Sequence, residues 1–311
     1  MIMAARTTDR HPVLPAAVSR PSEQVFDLVA VTPLALVVLS LIAGPIIYSL
    51  YVSFHDWYVV RPQDVGRFVG LRNYALAILT PEFPRALAVT LSLTAGSLIA
   101  LVALGLGGAL LVDCAGRWRP VLYGFAIVPW AIPTVVNGLM WKWILNPYFG
   151  ALNGLLVSIG LFDQYQSFLS HPTWALAAVI NANVWRELPL AMILMGAGLQ
   201  TVPRDLYDAA RVDGAGAWSL FRTVTFPWLI PSLFVLAILE TMNALRLFDI
   251  IWIMTGGGPG TSTSVIAWYA YRRAFMDFDF GQGSAISYII VVLTAAFAVL
   301  QRKFLRQQEL A

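Results

Sequence analysis

The sequence predicts an all-α, polytopic membrane protein with six transmembrane helices and a cytoplasmic helical segment between the fourth and fifth. Three observations carry that expectation. The chain is 59% hydrophobic and 12% charged, whereas soluble domains hold about 45–50% apolar and about 25% charged residues. Six apolar runs, at about 27–52, 87–112, 121–144, 174–199, 232–254 and 284–304, each approach the roughly 20 residues needed to cross a bilayer. Residues 203–231 form a polar, helix-prone segment between two such runs. Hydrocarbon does not accept such a segment, so it must lie at a surface that something in water reads.

Taken in order, residues 1–26 are a Pro-, Ser- and Arg-containing tail with the composition of a mobile segment. The first apolar run follows that tail and is too long for the apolar region of a cleavable signal peptide. Residues 27–304 then form the transmembrane domain, and residues 305–311 a short C-terminal tail. Six crossings place both termini on one side, and the cations choose the side. With both termini cytoplasmic, the inner face holds Arg6, Arg10, Arg20, Arg117, Arg119, Arg204, Arg211, Arg222, Arg302, Lys303 and Arg306. The outer face holds Arg61, Arg67, Arg72, Arg85, Arg272 and Arg273, so the positive-inside rule favours this frame. Trp141, Trp143, Tyr148 and Phe149 cluster where the third span leaves the bilayer, as interfacial aromatics do. The outer loops are then 55–85, 145–172 and 255–283, and the inner loop at 113–120 is short. Within the fourth span, Pro189 is expected to kink or locally unwind the helix.

Several chemistries find no support. The single cysteine, Cys114, cannot form an intrachain disulfide, and His11, His55 and His171 lie at no metal-ligand spacing. No Gly-x-x-x-x-Gly-Lys-Ser/Thr loop is present to cradle ATP phosphates, so no cofactor is expected in this chain. The net charge of +3 is accounted for by the flanks of membrane spans, with lipid and not nucleic acid as the partner.

In the polar segment, Pro203 suits a first helical turn, with Asp205 and Asp208 near the positive end of the helix dipole. Leu206, Ala209, Ala210 and Asp213 share one helical face. Gly214 and Gly216 interrupt the helix, and a second short helix runs from Ala217 to Thr223, presenting Trp218 and Phe221 together. Pro227 and Pro231 are expected to end the unit. Physics alone leaves two readings open: a docking element, or an amphipathic helix resting on lipid headgroups.

The segment resembles the signature loop of ABC importer permeases, Glu-Ala-Ala, three residues, Gly, nine residues, Ile-x-Leu-Pro. Here it reads Asp208-Ala209-Ala210, then Gly214, then Val224-Thr225-Phe226-Pro227, with both spacings kept. Asp208 for Glu shortens the acid by one methylene; Val224 and Phe226 stand for Ile and Leu. The resemblance implies that Asp208, Ala209, Ala210, Gly214, Trp218, Phe221 and Pro227 belong to a coupling helix that docks in a cleft of an ATPase subunit. A second stretch, Phe248-Asp249-Ile250-Ile251-Trp252-Ile253-Met254-Thr255-Gly256-Gly257-Gly258-Pro259-Gly260-Thr261, is similar to the end of the fifth span in maltose-type and glycerol-phosphate-type permeases.

Ionisable groups inside spans mark function or structural pairing. Arg186 and Glu187 lie in the fourth span, and Glu240, Asn243, Arg246 and Asp249 in the fifth. At about 1.5 Å per residue, Arg186 and Asn243 both fall near the midplane of a core about 30 Å thick. On a straight helix Glu240 and Asp249 lie about 180° apart, and the sequence neighbours Arg186 and Glu187 point in different directions. Two readings stay open. In one, Asn243, Arg246 and Glu187, with Asn183, Trp185, Arg186 and Glu240 nearby, line a polar solute pathway. In the other these charges are packing pairs, for example Arg186 with Glu240.

The resemblance implies the permease subunit of an ATP-driven importer in a bacterial or archaeal inner membrane. This chain would form half of a pathway for a sugar, polyol or sugar-phosphate. Implied partners are a second permease, two copies of an ABC ATPase that use ATP and Mg, and an extracytoplasmic solute-binding protein. That binding protein would dock over the outer loops, including Gly256, Gly257, Gly258 and Pro259. An ion-gradient-driven secondary transporter is the alternative, but it leaves the segment at 203–231 without a role and calls for an internal repeat.

Overall fold

A computed structural model describes residues 21–308. The chain divides into two units, 1–49 and 50–311. The expected tail at 1–26 lies mostly outside the described residues, but its last part is helical. Helix α1 (Pro21–Ser53) runs through Pro33 and Pro45 and contains the first apolar run.

From residue 50 onward the fold is helical apart from one two-stranded hairpin. Strand β1 (His55–Asp56) pairs antiparallel with β2 (Arg67–Phe68), His55 opposite Phe68. The next helices are α2 (Arg72–Leu79) and α3 (Glu82–Cys114), the second apolar run. Buried Asn73, on α2, donates from Nδ2 to the carbonyls of Ser53 at 2.9 Å and His55 at 2.8 Å. It thereby closes the end of α1 onto the loop.

The third apolar run is not one straight helix. It is α4 (Arg119–Ala126), α5 (Val128–Ala131) and α6 (Thr134–Ile144), with a bend of 90° between Gly116–Ala131 and Thr134–Ile144. The break falls at Ile132-Pro133: the residue before a proline is driven out of the helical region, and Ile132 has ψ 129°. After α7 (Ala151–Ser158) comes α8 (Pro172–Thr201), the fourth run. Pro189 does not interrupt α8, contrary to expectation. The helix is packed against α3 and the later helix Phe226–Leu245, and such neighbours let membrane helices absorb a proline.

Helices α9 (Arg204–Val212) and α10 (Ala217–Leu220) follow, then a π turn at Phe221–Thr225 and α11 (Phe226–Leu245). Pro203 precedes α9 as its N-cap. Pro227 and Pro231 do not end the polar unit; the helical path continues through both from Ala217 to Leu245. Pro227 has no N–H to offer the Thr223 carbonyl four residues back, and the turn widens there, with the Phe226 N–H reaching Phe221 O. The fifth run was expected to span 232–254, but α11 stops at Leu245, and α12 (Asp249–Met254) is a separate helix. The chain closes with α13 (Ile266–Tyr271), a π turn at Arg272–Met276 and α14 (Phe280–Gln308), the sixth run.

Among the described residues, four helices are long and apolar enough to cross a membrane, or up to five if the bent pair is one crossing. The most extensive contact joins α3 and α8, and small residues make it possible. At Gly105 a Cβ would stand 2.8 Å from the Ala191 Cβ, so only glycine permits this approach. One buried cluster (Leu101, Ala109, Val184, Ala191, Met195, Leu236) ties α3, α8 and α11 together. A second (Leu93, Val179, Ala182, Ala244, Ile250, Ile251, Trp268 among others) locks α12 and α13 onto α3 and α8. Leu247 and Phe248, which pack in the second cluster, also line the polar cavity described next.

Candidate functional site

Breaks in two helices create a polar cavity of about 410 Å³ in unit 50–311. The α5–α6 bend contributes Trp130 and Thr134, α8 contributes Asn183, Arg186, Glu187 and Leu190, and the α11–α12 break contributes Asn243, Arg246, Leu247, Phe248 and Asp249. Five of the seven residues expected on a polar pathway therefore meet here: Asn183, Arg186, Glu187, Asn243 and Arg246. Glu240 is buried behind the wall, 2% exposed, where its Oε1 accepts from Asn183 Nδ2 at 2.9 Å. The same Asn183 nitrogen donates to Ser97 Oγ at 3.1 Å. Trp185 does not line the cavity; its ring packs edge-on against Trp141, centroids 6.2 Å apart.

The pairing differs from the sequence-based alternatives. Arg186 does not pair with Glu240 but forms an ion pair with its own neighbour Glu187. A long, flexible arginine stem curls back across the helix face, which the backbone directions of adjacent residues do not reveal. Its Nε also donates to the Ile132 carbonyl at 3.3 Å, a group freed by the proline break. Because α11 ends before Asp249, the straight-helix angle between Glu240 and Asp249 does not apply. Asp249 instead opens α12, where the helix dipole favours negative charge, and accepts from Thr134 Oγ1 at 2.8 Å. Arg246 caps α11, with Nε on Met242 O at 3.0 Å and Nη2 at 3.5 Å from Asn243 Oδ1. The cavity thus presents donors from two guanidinium groups and acceptors from two carboxylates, beside an indole and a phenyl ring. That is a set able to hydrogen-bond a polyhydroxylated solute in either sense. Trp130, Thr134, Leu190 and Leu247 were not singled out by sequence, and Phe248 was named only as part of the second motif; Pro133, next to Thr134, is the signal of a break that could have found the first two.

The polar segment forms a second constellation. Helix α9 ends at Val212 with Asp213 as its C-cap, and the next residue, Gly214, has a φ of +81°, the left-handed geometry that glycine accepts without strain. The Ala215 N–H then reaches Ala210 O at 2.9 Å. A recess of about 400 Å³ is lined by Ala210, Asp213, Gly214, Ala215, Gly216, Ser219 and Thr223. Asp208 sits beyond the first turn and pairs with Arg211 at 3.2 Å, both exposed, while Ala209 is exposed beside it. Trp218 is 72% exposed and stacks on Phe221, ring centroids 5.7 Å apart, so the expected aromatic knob forms. Pro227 faces a different recess, with Gly198, Thr201 and Trp228. The contact not anticipated is Tyr207 Oη to Thr225 Oγ1 at 3.0 Å, which ties α9 to the turn leading into α11.

At the third place, Gly256, Gly257 and Gly260 take positive φ, and the Gly258–Pro259 bond is cis. Thr263 holds this loop, sharing a 2.7 Å hydrogen bond with the Thr255 hydroxyl and donating to Gly258 O at 2.7 Å. Among the described residues, no group of three or more His, Cys, Asp or Glu side chains is placed to hold a metal ion.

Broken helices around a polar cavity within a bundle of apolar helices define a membrane transport component. Residues 100–307 match the family of binding-protein-dependent transport system inner membrane components. The chain is 37% identical over 273 residues to the trehalose/maltose transport system permease protein MalF of Thermococcus litoralis, covering 88% of this chain and 91% of that one. It is 34% identical to the trehalose transport system permease protein SugA of Mycobacterium tuberculosis, covering 91% and 89%. It is 31% identical to the sulfoquinovosyl glycerol transport system permease protein SmoG of Agrobacterium fabrum, covering 92% of each. Its fold is similar to a chain in the crystal structure of a bacterial ABC transporter involved in the import of the acidic polysaccharide alginate. That match has a TM-score of 0.76 at 22% identity, over 92% of this chain and 96% of that one. The chain belongs to the binding-protein-dependent transport system inner membrane component family and is an ABC transporter permease subunit.

Proposed function

We propose that this permease carries a sugar or a related polyol or sugar-phosphate across the inner membrane, and that the polar cavity is where the solute is held in transit. The carrying observation is the convergence of Asn183, Arg186, Glu187, Asn243, Arg246 and Asp249 on one cavity beside the rings of Trp130 and Phe248. Hydroxyl groups need paired donors and acceptors when stripped of water, and this wall offers both. The named solutes of the relatives, trehalose, maltose and sulfoquinovosyl glycerol, share that chemistry.

In this reading the transmembrane domain is 27–304 with six crossings: the four long apolar helices, the bent α4–α6 unit and α8, whose 30 residues reach far enough to span. Both termini are cytoplasmic, with tails at 1–26 and 305–311, and the loop at Gly256–Pro259 faces outward toward a solute-binding protein. Residues 203–231 are the coupling segment. Asp208, Ala209, Ala210 and Gly214 shape its first helix, while the exposed Trp218–Phe221 pair supplies an apolar knob for an ATPase cleft. Two copies of that ATPase use ATP and Mg, and a second permease completes the pathway. An ion-gradient-driven carrier would leave the α9–α10 unit without a role.

The test is gentle purification of the tagged chain from its native membrane, with its partners identified and their proportions measured. Recovery with two ATPases and one further permease per chain is the expected result. Recovery alone or as a homodimer, across several detergents, refutes the assembly. Uptake of labelled maltose and trehalose by the purified complex in liposomes tests the solute class.

A further inference from the structure

A second cavity, about 370 Å³, lies beside the 255–264 loop and takes no part in the site above. Its volume is in the range of small-molecule sites, about 300–1,000 Å³. Its wall is chemically mixed: the indoles of Trp252 and Trp268, the hydroxyls of Thr261 and Ser264, and Arg272. Trp268 is buried at 4% exposure and belongs to the core, whereas Trp252 is 45% exposed. Core packing accounts for the first ring but not for the second, whose open surface adjoins hydroxyls and a guanidinium.

The two cavities share a wall. Phe248 lines the polar cavity and stacks on Trp252, centroids 5.9 Å apart and planes 16° apart. It also stacks on Trp268 at 5.9 Å and 19°. Phe248 on the polar side, stacked on the two indoles on the loop side, therefore joins the walls of the two cavities. A pyranose is amphipathic in a matching way: its C–H face packs on an aromatic ring while its rim of hydroxyls needs donors and acceptors.

We infer that the loop cavity is a second carbohydrate subsite, where a sugar ring lies on Trp252 with its hydroxyls toward Arg272, Thr261 and Ser264 before it passes Phe248. The inference rests on the sugar reading above. It adds a staging position on the loop side of the polar cavity, so that a released sugar meets an aromatic platform first.

The test uses the whole transporter, with its partner subunits, in nanodiscs and with tryptophan replaced by 5-fluorotryptophan. Fluorine resonances of Trp130, Trp252 and Trp268 are assigned by single Trp→Phe replacements, and maltose or trehalose is titrated in. The Trp252 resonance is expected to shift saturably, and to keep shifting in an Asn243→Ala/Asp249→Ala variant that disables the polar cavity. Trp252→Ala is expected to lower uptake of the same sugar about 2- to 10-fold, with Trp252→Phe retaining most of it. A shift at Trp130 with Trp252 and Trp268 unmoved overturns the subsite while the sugar reading stands. No shift at any of the three, together with no uptake of either sugar, removes the sugar reading and the subsite with it.

Discussion

Tyr207→Phe removes one oxygen, and the structure states what that oxygen holds. The phenol reaches Thr225 Oγ1 at 3.0 Å, bridging α9 to the turn that begins the long helical path into α11. Most of α9 is exposed, so few other side chains fasten it. The separation is longer than the usual O–H···O distance of about 2.7–2.8 Å, which puts the bond toward the low end of the net 0.5–1.5 kcal/mol range. Thr225, however, is only 5% exposed, and leaving its hydroxyl without a partner costs about 1–3 kcal/mol. Taking about 1 kcal/mol for the whole, the balance between docked and loosened α9 shifts about fivefold. Thr225→Val should cost less, about 0.5 kcal/mol, because the half-buried Tyr207 hydroxyl then turns to water. In the double variant no buried hydroxyl is orphaned, so the two effects should fall short of their sum. The assay is labelled sugar transported per ATP hydrolysed by the complete transporter in liposomes. Tyr207→Phe should lower that ratio by up to about fivefold, and Tyr207→Phe/Thr225→Val by less than the product of the single effects. A wild-type ratio in Tyr207→Phe, or strict additivity in the pair, would refute the idea that this bond transmits motion from α9.

Other expectations follow from the same geometry. Gly105→Ala places a Cβ 2.8 Å from that of Ala191 and should lower the apparent melting temperature of the solubilised complex, an overpacking cost of about 1–3 kcal/mol. Gly107 faces open space, so Gly107→Ala should raise that temperature, through a helix-propensity gain of up to about 1 kcal/mol; equal shifts in both variants would contradict the packing. Asp208→Lys sets a like charge beside Arg211, and Gly214→Pro cannot adopt a φ of +81°; each should abolish uptake while the chain stays in the membrane at normal abundance. Normal uptake in either variant removes the coupling assignment. Asn243→Ala and Thr134→Val should each change the sugar concentration giving half-maximal uptake, about 2- to 10-fold, without raising ATP hydrolysis in the absence of sugar. Unchanged uptake kinetics in both would make the polar cavity structural.

The apolar runs were legible because the period and length of a membrane helix follow from local composition: every backbone polar group must be satisfied within the segment. The aromatic knob of Trp218 and Phe221 was legible for a related reason, since residues three apart on a helix are neighbours. Local rules failed wherever proline met tertiary packing. Pro133 broke its helix while Pro189, Pro227 and Pro231 did not: α8 is packed against α3 and α11, and the widened turn at Phe221–Thr225 accommodates Pro227. The site was half legible. Polar residues inside apolar runs marked Asn183, Arg186, Glu187, Asn243 and Arg246, but pairing partners were not marked.

Composition and the spacing of Asp208, Gly214 and Pro227 sufficed for the class of protein. That class depends on which residues are present and how far apart they stand along the chain. The tertiary structure alone decided that Arg186 turns to Glu187, that Glu240 is sealed behind Asn183, and that Asp249 meets Thr134 across the break. Each depends on side-chain reach and on where two helices stop, and both are set by contacts between segments distant in sequence.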